Sequence, residues 1–108
     1  MEIKKLTRYV IMLNTIPGIS TPDELISSHI RYLRALEQAG KLVLCGPFAY
    51  HRGGLVIIKA ADAAEADAIA KSDPFVAEGV RTFEVRTWLL SCEENNHFGA
   101  RITMQIEM

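Results

Sequence analysis

Residues 41–60 read KLVLCGPFAYHRGGLVIIKA. Two apolar runs, residues 41–49 and 54–60, flank the turn-prone Tyr50-His51-Arg52-Gly53. The stretch predicts two strands joined by a hairpin. A sheet with one wet face should alternate apolar and polar residues. These runs do not. Leu42 and Leu44 fall on one side with Val43 and Cys45 on the other, and Leu55 and Ile57 oppose Val56 and Ile58. Both faces of this hairpin therefore need cover.

Moving toward the N-terminus, residues 21–40 read TPDELISSHIRYLRALEQAG. Thr21 suits the N-cap, Pro22 the first helical position, and Glu24 completes a capping box. Acidic side chains in this first turn also suit the helix dipole. The helix is expected to run to Ala39 and stop at Gly40. Before it, residues 9–13 (YVIML) read as a first strand, followed by a turn over residues 14–20. Toward the C-terminus, Asp62-Ala63-Ala64-Glu65 opens an alanine-rich helix. That helix ends near Ser72, because Pro74 pushes Asp73 out of the helical region. Residues 80–92 read as a long fourth strand. The alternation of Ile102, Met104 and Ile106 suggests a short fifth.

The order is β-α-β-β-α-β plus a tail, an α+β chain of the ferredoxin-like type with an antiparallel sheet and both helices on one face. Residues 1–95 form the domain and residues 96–108 the tail. Helices on one side leave the other sheet face bare. A second copy related by two-fold symmetry would cover it, giving a homodimeric α/β barrel, with higher oligomers left open. The alternative is a monomer whose tail folds across that face.

Composition narrows the function. The 108 residues are enough for one domain with one core, and 49% hydrophobic with 23% charged is ordinary globular usage. A net charge of −1 and a pI of about 6.3 leave no basic field for nucleic acid or anionic membrane. Cys45 and Cys92 do not make a disulfide framework at this length. The apolar stretch near the N-terminus is too short for an export signal or a membrane span. The cytoplasm is the expected location.

Two residues stand out for chemistry. His29 lies four residues after Leu25 and four before Leu33, on the stripe that these form with Ile26 and Leu36. It should point toward the sheet, where an unpaired imidazole would cost about 1–3 kcal/mol. Asp73 sits at the end of the second helix, where the dipole disfavours a carboxylate unless something compensates it. Both helices share a sheet face, so the two residues can meet. Such a pair would orient the imidazole for general acid–base work. The plainer alternatives are a core histidine and an Asp-Pro turn former. Phe48, Ser72 and Phe75 are candidates for lining a substrate pocket near Asp73, or for packing alone. Cys45 reads as a small core residue, and His51 and His97 as solvated. Arg31 and Arg34 are expected on the solvated side of the first helix, and Trp88 in the core or a dimer interface. No metal site is expected, because His29 has no second ligand at a metal-like spacing. Gly46-Pro47 and Gly53-Gly54 lack the context of a phosphate loop.

The ordered set of His29, Tyr32-Leu33, Leu36, Gly40, Gly46-Pro47-Phe48, Gly54, Ala66, Asp73-Pro74-Phe75, Gly79 and Trp88 resembles the YCII-related (YciI-like) family. The likeness covers roughly residues 7 to 90, and the stretch after Cys92 departs from the family's shorter ending. The resemblance implies a ferredoxin-like fold in a dimeric α/β barrel. It also implies an active-site histidine–aspartate pair, carried here by His29 and Asp73. Muconolactone isomerase-like and chlorohydroxyquinol dehydrochlorinase-like proteins are the functional analogies. Two readings follow. One is an enzyme without cofactor, performing elimination, isomerisation or hydrolysis on a small cyclic or aromatic substrate. The other is a non-catalytic dimeric binding or accessory module in which the pair is structural.

Overall fold

A computed structural model describes residues 6–97. The expected tail strand at Ile102, Met104 and Ile106, with most of the tail, lies outside the described residues. The elements run β1 (Thr7–Thr15), α1 (Asp23–Gln38), β2 (Leu42–Pro47), β3 (Gly54–Ile58), α2 (Ala63–Ser72), α3 (Pro74–Ala77) and β4 (Arg81–Leu89), then a 3₁₀ turn at Glu93–Asn95. The sheet order is β2-β3-β1-β4, with every neighbouring pair antiparallel. This is the ferredoxin-like arrangement. It was missing only α3, a single turn that follows Asp73 directly because Pro74 suits the first helical position.

On the helix side of the sheet, Tyr9, Ile11 and Leu13 of β1 pair across to Ile58, Val56 and Gly54 of β3. These residues are buried. Leu36, Ala66, Ile69, Ala70, Phe75 and Val80 close over them from above and complete the core. The opposite face carries Val10 and Met12 beside Ile57 and Leu55, so it is apolar at its centre as well.

Three local expectations need correction. Thr21 makes no N-cap bond: Pro22 holds the N-cap position of α1, and its carbonyl accepts from Leu25 and Ile26. The Thr21 hydroxyl accepts instead from Arg81 Nη1 at 2.9 Å, tying the helix entry to β4. The second cap forms as expected, with Asp62 Oδ1 accepting from Glu65 N at 2.9 Å. Leu42 and Leu44 do not share a face. A register irregularity between them pairs Leu42 with Ile58 but Leu44 with Ile57, and one extra residue in a strand flips all that follows. Leu44 therefore stands on the open face, 67% exposed, while Cys45 and Pro47 turn to the helix side. Ile26 is not part of the buried stripe. It and Ile30 are exposed, because they face the open cleft between α1 and the β2–β3 hairpin and not the core.

A glycine shapes the hairpin on the far side of that cleft. Gly53 has φ +87°, and a Cβ there would lie 2.5 Å from the Leu13 carbonyl oxygen. Only glycine meets both demands at once. The turn is closed by Phe48 N donating to the Gly53 carbonyl at 2.9 Å.

Candidate active site

Asp73 is built by the break between α2 and α3. Its extended backbone (φ −61°, ψ 127°) is what a residue before proline adopts. Its carboxylate turns forward, and Oδ1 accepts from Phe75 N at 2.9 Å, capping α3. The unfavourable end of the α2 dipole is thus offset by the favourable start of the next turn. The same Oδ1 lies 2.8 Å from His29 Nδ1. A carboxylate only accepts, so Nδ1 carries the proton and donates. The two side chains are 14% and 5% exposed.

Packing fixes the imidazole in a second direction. Its ring stacks on Phe75, with centroids 3.9 Å apart and planes 10° from parallel. The Arg81 guanidinium carbon lies 4.9 Å from the same Phe75 centroid. Nε2 is the ring nitrogen with no protein partner among the described residues, and it is not sealed from solvent.

A cavity of about 670 Å³ opens between α1 and the β2–β3 hairpin. Its walls are mainly Ile26, Ile30, Leu33, Phe48, Val56 and Phe75, with His29, Cys45, His51, Thr21 and Arg81 supplying the polar groups. His29 lines it and Asp73 does not, so the carboxylate supports the ring from behind. An apolar cavity with a few convergent polar groups is the usual form of a small-molecule site. Residues 7–89 match the sequence model of the YCII-related domain.

The chain belongs to the YCII-related family. It is 29% identical over 82 residues to the uncharacterized protein YjpA of Bacillus subtilis (strain 168), covering 76% of this chain and 96% of that protein. It is also similar in structure to 5-chloro-2-hydroxyhydroquinone dehydrochlorinase of Burkholderia phenoliruptrix AC1100, solved in complex with 2,5-dihydroxybenzoquinone. The TM-score is 0.64 at 21% identity, over 82% of this chain and 98% of that one. At that identity the likeness is one of fold.

Within this YCII-related fold, the residues singled out by sequence part ways. His29 and Asp73 are hydrogen-bonded, and Phe48 and Phe75 line the cavity. Ser72 does not line it: this side chain is exposed on α2 and donates to the Ala68 carbonyl at 2.9 Å. Cys45 is not a core residue, since the strand irregularity turns it onto the cavity wall, where it is exposed. Arg31 and Arg34 are exposed as expected, and Trp88 lies 44% exposed on the open sheet face beside Arg8. His51 is exposed at the cavity, and His97 is exposed in the C-terminal region. Among the described residues, no group of three His, Cys, Asp or Glu side chains is placed to hold a metal, and no helix is long and apolar enough to cross a membrane.

Sequence reasoning did not single out the chemistry of Arg81, which lines the cavity, or of Tyr32, which ties α1 to α2. Tyr32 follows His29 by three positions, which puts both on one helix face. Its hydroxyl donates to the Ile69 carbonyl at 2.7 Å, a second tie between α1 and α2. Burial pushes the Tyr32 phenol above its ordinary 10.0, and the negative charge of Asp73 adds to this, with the Ser72 hydroxyl acting the other way. The folded state therefore holds this proton more tightly than the unfolded chain. That contribution to stability is fully present below pH 10 and is lost as pH rises through the folded value. Tyr32→Phe should lower the melting temperature at neutral pH, through the loss of a hydrogen bond worth about 0.5–1.5 kcal/mol. It should also flatten the fall in melting temperature above about pH 10. Parallel pH curves for the two proteins would rule out this role.

Proposed function

We propose that this chain is a small-molecule enzyme in which His29 is the general acid–base and Asp73 its orienting partner. The observation that carries this reading is the 2.8 Å Nδ1–Oδ1 contact behind an imidazole whose other nitrogen is free beside an apolar cavity. A neutral imidazole held as the Nδ1–H tautomer offers Nε2 as a base. It takes a proton from a ring C–H or O–H of the substrate, and the imidazolium so formed is stabilised by Asp73. It then returns the proton to a leaving group or a carbonyl oxygen. Elimination and isomerisation use that sequence; in hydrolysis the proton comes instead from a water whose oxygen bonds to the substrate as the leaving group departs. The cavity's size and apolar walls suit one small cyclic compound. The dehydrochlorinase neighbour acts on a chlorinated hydroquinone, which supports this substrate class by analogy of fold.

The rival reading is a non-catalytic module. It draws on the second bond to Asp73 Oδ1, from Phe75 N, and on the Tyr32–Ile69 tie, which make the pair part of a network joining α1, α2 and α3. Ring-nitrogen NMR at neutral pH separates the two. The enzyme reading expects His29 as the Nδ1–H tautomer, with Nε2 shifting when a small hydroxyquinone such as 2,5-dihydroxybenzoquinone is added. An Nε2–H tautomer, or a His29 ring unmoved by any compound in a panel of quinones, phenols and lactones, would leave only the structural network.

We also propose that the working unit is a homodimer joined through the open sheet face. Val10, Met12, Leu55, Ile57 and Leu44 form a contiguous apolar surface there, with no helix on that side among the described residues. Contiguous apolar surface of this kind marks an interface, and a two-fold partner presents the same surface in return.

A further inference from the structure

Arg81 is placed for a task that the proton-transfer reading does not use. Its Nη1 donates to Thr21 Oγ1 and to the Val80 carbonyl, each at 2.9 Å. These bonds, with the Phe75 ring beneath, hold the guanidinium in place and leave the N–H groups of Nε and Nη2 without a protein acceptor among the described residues. No carboxylate there pairs with Arg81. Among the described residues, no Asp or Glu lines the cavity, and Arg81 is the only permanently charged side chain on its wall. A fixed cation with spare donors, in an apolar recess without a counter-ion, favours an anion. The imidazole centroid lies 3.9 Å and the guanidinium carbon 4.9 Å from the Phe75 centroid, and both side chains line the one cavity, so a single ligand held there can meet both.

We propose that Arg81 selects the ligand's charge, so that the site takes a planar ring bearing an anionic oxygen, either a carboxylate or an ionised ring hydroxyl. Resting on the reading of this cleft as the substrate site, the inference deepens it by naming a specificity residue. Arg81 anchors the anionic oxygen, and the ring lies against Phe48, Ile26 and Ile30 with its reactive position toward His29 Nε2.

The test is binding, with benzoate and its neutral counterpart benzamide as probes, measured by calorimetry at pH 8. Wild type should bind benzoate about ten- to a hundredfold more tightly, the range of a charge-assisted hydrogen bond. Arg81→Gln should erase the preference, Arg81→Lys should keep part of it, and His29→Gln should keep nearly all of it. A readout without substitution is the Arg81 Nε–H resonance, which should shift with benzoate and not with benzamide. Equal binding of the two probes, no binding of either at millimolar concentration, an unmoved Arg81 resonance, or a preference that follows His29 would each overturn the assignment. Because these outcomes do not depend on turnover, an Arg81-dependent preference stands even if His29 proves non-catalytic.

Discussion

Replacing His29 by Gln is expected to lower kcat/KM on a turned-over substrate by about 10²–10⁴, the usual contribution of a positioned general acid–base. The melting temperature should change far less. Gln can still donate to Asp73 Oδ1, so the buried carboxylate keeps a partner, and Phe75 N continues to cap α3 through the same oxygen. What disappears is a group able to take a proton near neutral pH. Asp73→Asn tests the same idea from the other side. Asn can keep its one oxygen for both Phe75 N and the Nδ1–H, which preserves the cap and the tautomer but removes the negative charge behind the ring. The imidazolium would then lose the charge that stabilises it, and proton abstraction would slow although His29 remained in place. A large loss of turnover in both variants, with both still folded, is the outcome the enzyme reading requires. If His29→Gln turned over substrate at the wild-type rate, the pair would be a structural tie and nothing more.

The order of elements was legible because each boundary has a local cause. Pro74 forces Asp73 to leave α2, Asp62 caps that helix, and Gly40 at φ +74° ends the helical segment of α1. The meeting of His29 with Asp73 was legible for the same reason, since a helix stripe and a helix end on one sheet face fix both positions. Other features depend on contacts distant in sequence. The irregularity between Leu42 and Leu44 is set by how β2 pairs with β3, and it alone decides that Cys45 faces the cavity and Leu44 the open face. Thr21 had a good capping pattern, yet Arg81, sixty positions away, takes its hydroxyl. Arg81 itself opens β4 as one charged residue among several, and nothing in the local sequence marks it as the cation of the cleft. Ser72 was a reasonable neighbour of Asp73 along the chain, but the break in the backbone between them turns the two side chains apart.

In sedimentation velocity the chain should run as a dimer at micromolar concentration, and Ile57→Glu should make it a monomer. Ile57 is the informative position because its cross-strand neighbours are Leu44 and Val10, so a new carboxylate there has no cation opposite it. Val10 would be a poorer choice, since Arg86 lies across from it on β4 and would pair with the introduced charge. Each buried ion would cost several kcal/mol, and two-fold symmetry introduces two of them facing a common interface. The dissociation constant should therefore rise by at least about 10³-fold. Arg34→Glu, on the exposed side of α1, carries a charge change of the opposite surface and should leave the dimer intact. A chain ending at residue 97 separates the rival occupant of the sheet face. If that shortened chain is a dimer like the full one, the tail is not what covers Val10, Met12 and Ile57. If the full chain is a monomer and only the shortened one dimerises, the tail lies over the face and the two-fold arrangement is wrong. The site bears on the result too. Val56 lines the cavity and precedes Ile57 in β3, so a dimer through this face would stiffen the hairpin that forms one wall of the cleft. Ile57→Glu should then weaken ligand binding as well as association, although Ile57 itself does not line the cavity.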